Sequence, residues 1–350
     1  MHVPDGFINA PVSAAAGVVA AGAVAVSLRG ARRELDERTA PLAGLVAAFI
    51  FAVQMLNFPV AAGTSGHLLG GALAAILVGP YTGVLCVSVV LLMQGILFAD
   101  GGLTALGVNI TVMAVVTTVT AYAVFRGLVK VLPKKRRSVT VSAFVAAALS
   151  VPAAAAAFTL VYAVGGTTDV PIGQVLAAMV GVHVLIGVGE AAITAATVGS
   201  VLAVRPDLVH GARGLTARLK LRVGGELVDA PAAEPEPVAA RSPRKLLLAG
   251  LAASLVLAGF VSFYASADPD GLEKVAADKG IGAKAEEHAA ADSPLADYGV
   301  EGITDARISG GLAGVIGVGA TVAAGTGVFW AVRRRRTRET SPAAVPDLNA

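Results

Sequence analysis

The 350-residue chain holds a single cysteine, Cys86, and only 15% charged residues. A lone cysteine inside an apolar run makes neither a disulfide framework nor a Cys-rich metal site. So little charge, beside 55% hydrophobic residues and a mean hydropathy of +0.75, does not describe a soluble globular domain. Aromatics reach only 5%, whereas there are 41 glycines, a balance that suits closely packed helices. No G-x-x-x-x-G-K-S/T occurs, so the chain has no P-loop to cradle ATP phosphates, and any ATP-driven role needs another subunit. HExxH, CxxC and Ser-His-Asp cues are missing too. The pI near 9.1 does not argue for a nucleic-acid partner, because the basic residues cluster beside apolar runs, where they set topology.

What is present is a series of apolar runs near the ~20-residue length that spans a bilayer as helix. They fall near 10–28, 41–60, 68–79, 82–98, 104–125, 139–164, 172–204, 246–264 and 311–332. The spacing predicts an all-α integral membrane protein, a seven-helix bundle followed by a two-helix module. Leu68 to Phe98 reads either as one long helix or as two joined at Gly79-Pro80. Two helices put every Lys and Arg on one side except Lys274, Lys279, Lys284 and Arg307, which share segment 265–310. One helix would strand the Lys134–Arg137 cluster on the opposite side, against the positive-inside rule. The amino terminus is therefore expected outside and the carboxyl terminus in the cytoplasm of a multi-pass plasma-membrane protein.

With no basic n-region before the first apolar run, a cleavable secretory signal is not expected. The expected divisions are 1–205, a seven-helix membrane domain; 206–243, a cytoplasmic basic segment with a Pro/Ala-rich linker; 244–333, a two-helix module; and 334–350, a disordered tail. Loop 265–310, on the outer side, carries ten acidic and four basic residues. Its plain reading is a solvated surface, its functional one attraction of cations.

Few residues offer chemistry, since the chain has five histidines. His2 is the most informative. With a free amino terminus, Met1 offers its amine and His2 its amide nitrogen and imidazole, three nitrogens in fused five- and six-membered chelate rings. Such tetragonal nitrogen sites suit Ni(II), Cu(II) or Co(II). The topology puts His67, within Gly63-Thr-Ser-Gly-His67, on the same outer face, where it would close the plane. Glycines there let backbone approach closely, and Ser65 is expected to hydrogen-bond the free ring nitrogen of His67. His183 and Glu190 lie seven residues apart on one helix face, roughly 10 Å from each other, too far to share one metal. An intramembrane Glu is a candidate for gating, and a hydrogen bond to a neighbouring helix is its plain alternative. Gln54, Asn57, Gln94 and Asn109 are adequately explained as interhelical hydrogen-bonding groups, and Asp100 as a solvated carboxylate. His210 and His288 show no evident partner. Gly310-Gly-Leu-Ala-Gly314 reads as a small-residue packing face.

Met1-His-Val-Pro-Asp-Gly-Phe7, Thr64-Ser-Gly-His67, Gly79-Pro80, Gln94 with Asp100-Gly-Gly-Leu-Thr104, Gly107-Val-Asn109, and His183 to Glu190 together resemble a known family. It is the metal-specificity membrane component of cobalt/nickel energy-coupling-factor transporters, and the resemblance covers about residues 1–205. Pro269-Asp-Gly-Leu-Glu273 and Pro294-Leu-Ala-Asp-Tyr298, with a flanking helix on each side, look like the small two-helix PDGLE-type accessory component of those systems, here in the same chain. The resemblance implies a non-enzymatic transport component that carries Co(II) or Ni(II) as substrate. It implies planar metal ligation by the Met1 amine, the His2 amide and imidazole, and His67. It also implies a transmembrane coupling subunit and two cytoplasmic ATPase subunits as partners. Where many relatives have His before Gly-Gly-Leu-Thr, this chain has Asp100. A proton-coupled secondary transporter using Glu190 and His183 is the alternative reading of the same residues.

Overall fold

The computed structural model describes residues 1–37, 39–61, 63–213, 220–223, 226–229 and 243–340. The linker expected at 230–243 lies outside the described residues apart from Pro243, and so does the tail from 341 onward. The chain is built from helices: α1 Ala10–Glu34, α2 Thr39–Gln54, α3 Gly71–Val78, α4 Pro80–Leu97, α5 Leu106–Val131, α6 Arg136–Gly165, α7 Ile172–Val204, α8 Arg244–Gly259, α9 Gly271–Lys279 and α10 Ala306–Thr340. Helix α10 runs past position 333, where the tail is expected to begin. A two-strand hairpin, β1 Phe58–Pro59 and β2 Ser65–Gly66, joins α2 to α3. A second antiparallel pair, β3 Lys220–Val223 and β4 Glu226–Asp229, follows α7.

Six described helices, α1, α4, α5, α6, α7 and α10, are long and apolar enough to cross a membrane. Their faces divide as a bilayer requires. In α7, Val175, Met179, Ile186, Val198 and Leu202 face the bundle, while Leu176, Val184, Leu185 and Val188 are exposed. In water those exposed side chains would each be an unfavourable apolar surface; against lipid tails they are not.

A helix stands at each of the nine expected places, yet the count of seven full spans in residues 1–205 is not reproduced. Helix α2 has 16 residues, and α3 only eight, about 12 Å of rise. The first three residues of that run, Leu68–Gly70, are instead loop between β2 and α3. The break at Gly79-Pro80 is where the two-helix reading puts it. Gly79 has φ 104°, and a Cβ there would meet the Glu34 carboxyl at 2.5 Å. Glu34, ending α1, accepts from the Thr82 N–H at 2.7 Å and so caps the start of α4.

The small-residue face of α10 packs as expected: a Cβ at Gly314 would meet the Ala258 carbonyl of α8 at 2.4 Å. Helices α8 and α10 both lie along α2, with Gly44 against Thr326. That packing brings the segment between α8 and α10 over the end of the bundle where the chain begins.

Candidate metal centre

The first nine residues are a buried plug, not a free terminus. Met1 is 2% exposed and Val3 fully buried. Asn109, at the start of a π-helical stretch Ile110–Val116 in α5, pairs with Val3 like a strand: it accepts from the Val3 N–H at 2.8 Å and donates to the Val3 carbonyl at 3.1 Å. The Gly102 N–H donates to the same carbonyl at 2.9 Å. Asp5 accepts from the Thr104 N–H at 2.8 Å, and its own carbonyl accepts from the Glu286 N–H at 3.0 Å. The terminus is thus clamped between the 98–104 loop and the acidic segment after α8.

At the inner end of this plug, the Met1 amine lies 2.6 Å from His67 Nε2 and 2.7 Å from Asp270 Oδ2. His67 Nδ1 lies 3.0 Å from the Leu68 carbonyl, which only accepts, so Nδ1 carries the proton and Nε2 presents its lone pair to the amine. Ser65 does not hold that ring, contrary to expectation. Its hydroxyl instead donates to the Asp268 carbonyl at 2.7 Å, because the hairpin turns Ser65 toward the incoming segment. Burial works to raise the Asp270 carboxyl, but the Met1 ammonium outweighs it and holds the group well below the usual carboxylate range.

His2 stacks on His67, with ring centroids 5.2 Å apart and planes 16° from parallel. Its Nδ1 lies 3.2 Å from Asp100 Oδ1 and its Nε2 3.2 Å from Gln94 Oε1. Burial pushes the imidazole down to about 4, against the opposite pull of Asp100. Asp100 is therefore no solvated carboxylate: it also accepts from the Tyr298 hydroxyl at 2.6 Å, and Gln94 Nε2 donates to the same hydroxyl at 2.9 Å. Burial and the adjacent Asp100 raise the Tyr298 phenol well above its ordinary range. Beside these groups opens a cavity of about 610 Å³, reached by His2, His67, Asp100, Asp270 and Tyr298.

The structure brings Met1, His2 and His67 together. His183 lies on the floor of the same site, its Nδ1–H donating to the Met179 carbonyl at 2.7 Å and its buried Nε2 without a hydrogen-bond partner. Glu190 points elsewhere, accepting from the Leu69 N–H at 2.7 Å and the Gly70 N–H at 3.1 Å. It anchors the loop that carries His67. His288, expected to have no partner, donates to the Gly101 carbonyl at 3.2 Å, and the His210 ring lies 3.4 Å from the Tyr122 hydroxyl. Sequence reasoning passed over Asn109, Gln94, Tyr298 and Asp270 as site residues. Among the described residues no three His, Cys, Asp or Glu side chains converge to hold an ion.

Compared with known families, residues 2–208 match CbiM, the cobalt uptake substrate-specific transmembrane region. The chain belongs to this family. Residues 244–334 match the PDGLE domain, so this CbiM-family protein carries its accessory module in the same chain. It is 39% identical to a putative metal transport protein of Haloquadratum walsbyi over 60% of this chain and 93% of that one. It is 38% identical to a putative fused nickel transport protein of Archaeoglobus fulgidus, over 60% and 68%. A crystal structure of a truncated transition metal transporter superposes with a TM-score of 0.51 at 26% identity, covering 58% of this chain and 99% of that one. The CbiM-family chain is a multi-pass membrane protein.

Proposed function

We propose that this CbiM-family protein is the substrate-capture component of a Co(II) or Ni(II) importer. Residues 1–205 form the capture domain, 206–243 a cytoplasmic segment and linker, and 244–333 the accessory module, with the amino terminus outside and the carboxyl terminus inside. The Met1 amine, the His2 amide and imidazole, and His67 bind the ion. A transmembrane coupling subunit and two cytoplasmic ATPase subunits supply the energy for its release inward, since this chain has no P-loop.

The observation that supports this reading most is the 2.6 Å between the Met1 amine and His67 Nε2. Two nitrogens each about 2.0 Å from an ion, at right angles, stand about 2.8 Å apart. One edge of a coordination square is therefore nearly formed. His2 supplies the next corners once its Nδ1 leaves Asp100. The proton-coupled alternative through Glu190 and His183 gains nothing from the geometry, because Glu190 is bonded to two backbone N–H groups and does not face His183.

The test is titration of Ni(II) and Co(II) into the detergent-purified chain, tagged only at the carboxyl terminus, beside a variant with one Ala inserted between Met1 and His2. The insertion keeps every side chain and changes only the chelate register. Tight binding by the native chain that the insertion abolishes supports the chelate; equal binding by both rejects it.

A further inference from the structure

The Pro-Asp-Gly-Leu-Glu run of the accessory module has a local task and a second one beyond it. Locally, it starts α9 with a reciprocal cap. Asp270 Oδ1 accepts from the Leu272 N–H at 2.7 Å and the Glu273 N–H at 2.9 Å, while Glu273 accepts from the Asp270 N–H at 2.8 Å. This cap consumes Oδ1 and fixes the carboxylate plane. The other oxygen, Oδ2, is thereby aimed away from α9, and it meets the Met1 amine. Neighbouring groups hold the run in place: the Ser65 N–H, two residues before His67, donates to the Pro269 carbonyl at 2.9 Å. Gly271 permits the approach, since a Cβ there would stand 2.8 Å from Ile186 Cδ1 and 2.9 Å from His183 Cε1. Leu272 is buried at 1% exposure. Each residue of the run thus helps to deliver one oxygen to the amine.

We infer that Asp270 is a positioning residue of the capture site: it holds the Met1 amine beside His67 and balances the charge of the captured ion. The inference rests on the proposed amine–amide–imidazole chelate. A coordinated amine keeps two hydrogens, so its bond to Asp270 survives when the ion arrives. The carboxylate then stands behind the ligand as carboxylates stand behind metal-bound histidines. Charge argues the same way. A divalent ion with one deprotonated amide leaves one positive charge in a buried site, and the Asp270 carboxylate neutralises it. The accessory module is then part of the binding centre, not a bystander beside it.

The experiment uses the full chain in detergent with Ni(II) as probe, comparing native protein with Asp270→Asn and Asp270→Ser, and with the Ala insertion as reference. Asn and Ser cap helices about as well as Asp, so α9 keeps its start while the charged bond to the amine is lost. The expected result is affinity lowered roughly 10- to 100-fold in both variants, the effect of removing a group that orients a metal ligand. At saturating metal their Ni(II) visible absorption should match the native spectrum, because the nitrogens still bind. Native affinity in both variants would overturn the inference and leave Asp270 as a helix cap only. A changed spectrum at saturation would also overturn it, by making the carboxylate oxygen a ligand on the ion. If the Ala insertion binds like the native chain, the chelate itself fails first, and that result is read without either Asp270 variant.

Discussion

Glu190→Gln separates an anchoring carboxylate from a proton-carrying one. The Glu190 side chain is fully buried, and its two oxygens accept from the Leu69 and Gly70 N–H groups at 2.7 and 3.1 Å. Those donors lie just before α3, at its N-cap Gly70 and the residue preceding it, where no intrahelical partner exists for them. Glutamine keeps one acceptor and turns an NH2 toward the other N–H, so one charged hydrogen bond is lost and one buried donor is left unpaired. A hydrogen bond to a charged group contributes about 1.5–3 kcal/mol. The expected loss is therefore about 2 kcal/mol, or roughly 4–8 °C in melting temperature for a domain of this size. Because the loop carries His67 two residues earlier, Ni(II) affinity should fall with stability. The assay is a melting curve of the detergent-purified chain together with metal titration. If Glu190→Gln melts and binds metal like the native protein, yet uptake with the full transporter is abolished, Glu190 carries protons and the anchoring argument is wrong.

The other expected outcomes concern the terminus. Near neutral pH, binding should release about two protons per ion, one from the Met1 ammonium and one from the His2 amide, as a deprotonated ligand set requires; calorimetry in buffers of different ionisation enthalpy counts them, and release of none excludes the chelate. The His2 imidazole, lowered by burial from 6.5 to about 4, takes up protons more readily when detached than when docked. Docking of the metal-free terminus is therefore at full strength above pH 6.5 and weakens as pH falls toward 4, by about 3 kcal/mol at 1.36 kcal/mol per pH unit. Asp270, lowered instead, keeps its contribution throughout that window. Hydrogen exchange at the Val3 amide, corrected for its intrinsic rate, should report the change, and flat protection from pH 7 to 4 would contradict it. Asn109→Leu leaves the Val3 N–H and carbonyl short of a buried partner, at about 1–3 kcal/mol each. Ni(II) affinity should drop at least tenfold, and native affinity would remove Asn109 from the site.

The meeting of Met1, His2 and His67 is legible in the sequence because it needs only two inputs: the chelate register of the first two residues, and the loop parity that puts His67 on their face. The helix break at Gly79-Pro80 is legible for the same reason, since charge on the flanking loops decides it. The half-length of α3 is not. Hydropathy counts Leu68 and Leu69 as span, whereas the Leu69 and Gly70 N–H groups are drawn out of helix geometry by Glu190, about 120 residues away. Asn109 reads as a packing group because a carboxamide in an apolar run bonds to another helix far more often than to an amino terminus. Asp270 is hidden among ten acidic residues of one loop. Its cap is a local matter, but only the packing of α8 and α10 on α2 shows where its second oxygen goes.

The 610 Å³ cavity bears on the order in which a captured ion loses its water. At about 30 Å³ per molecule it has room for roughly twenty waters, several times the six of a hydrated divalent ion. At the proposed chelate this leaves room for a hexaaqua ion beside the His2 and His67 rings, so that its shell is shed there, one ligand exchange at a time. The pace of loading is then set by how fast the ion itself exchanges water. Nickel does so far more slowly than cobalt. Two ions held with similar strength at the proposed site would fill this vestibule at different rates.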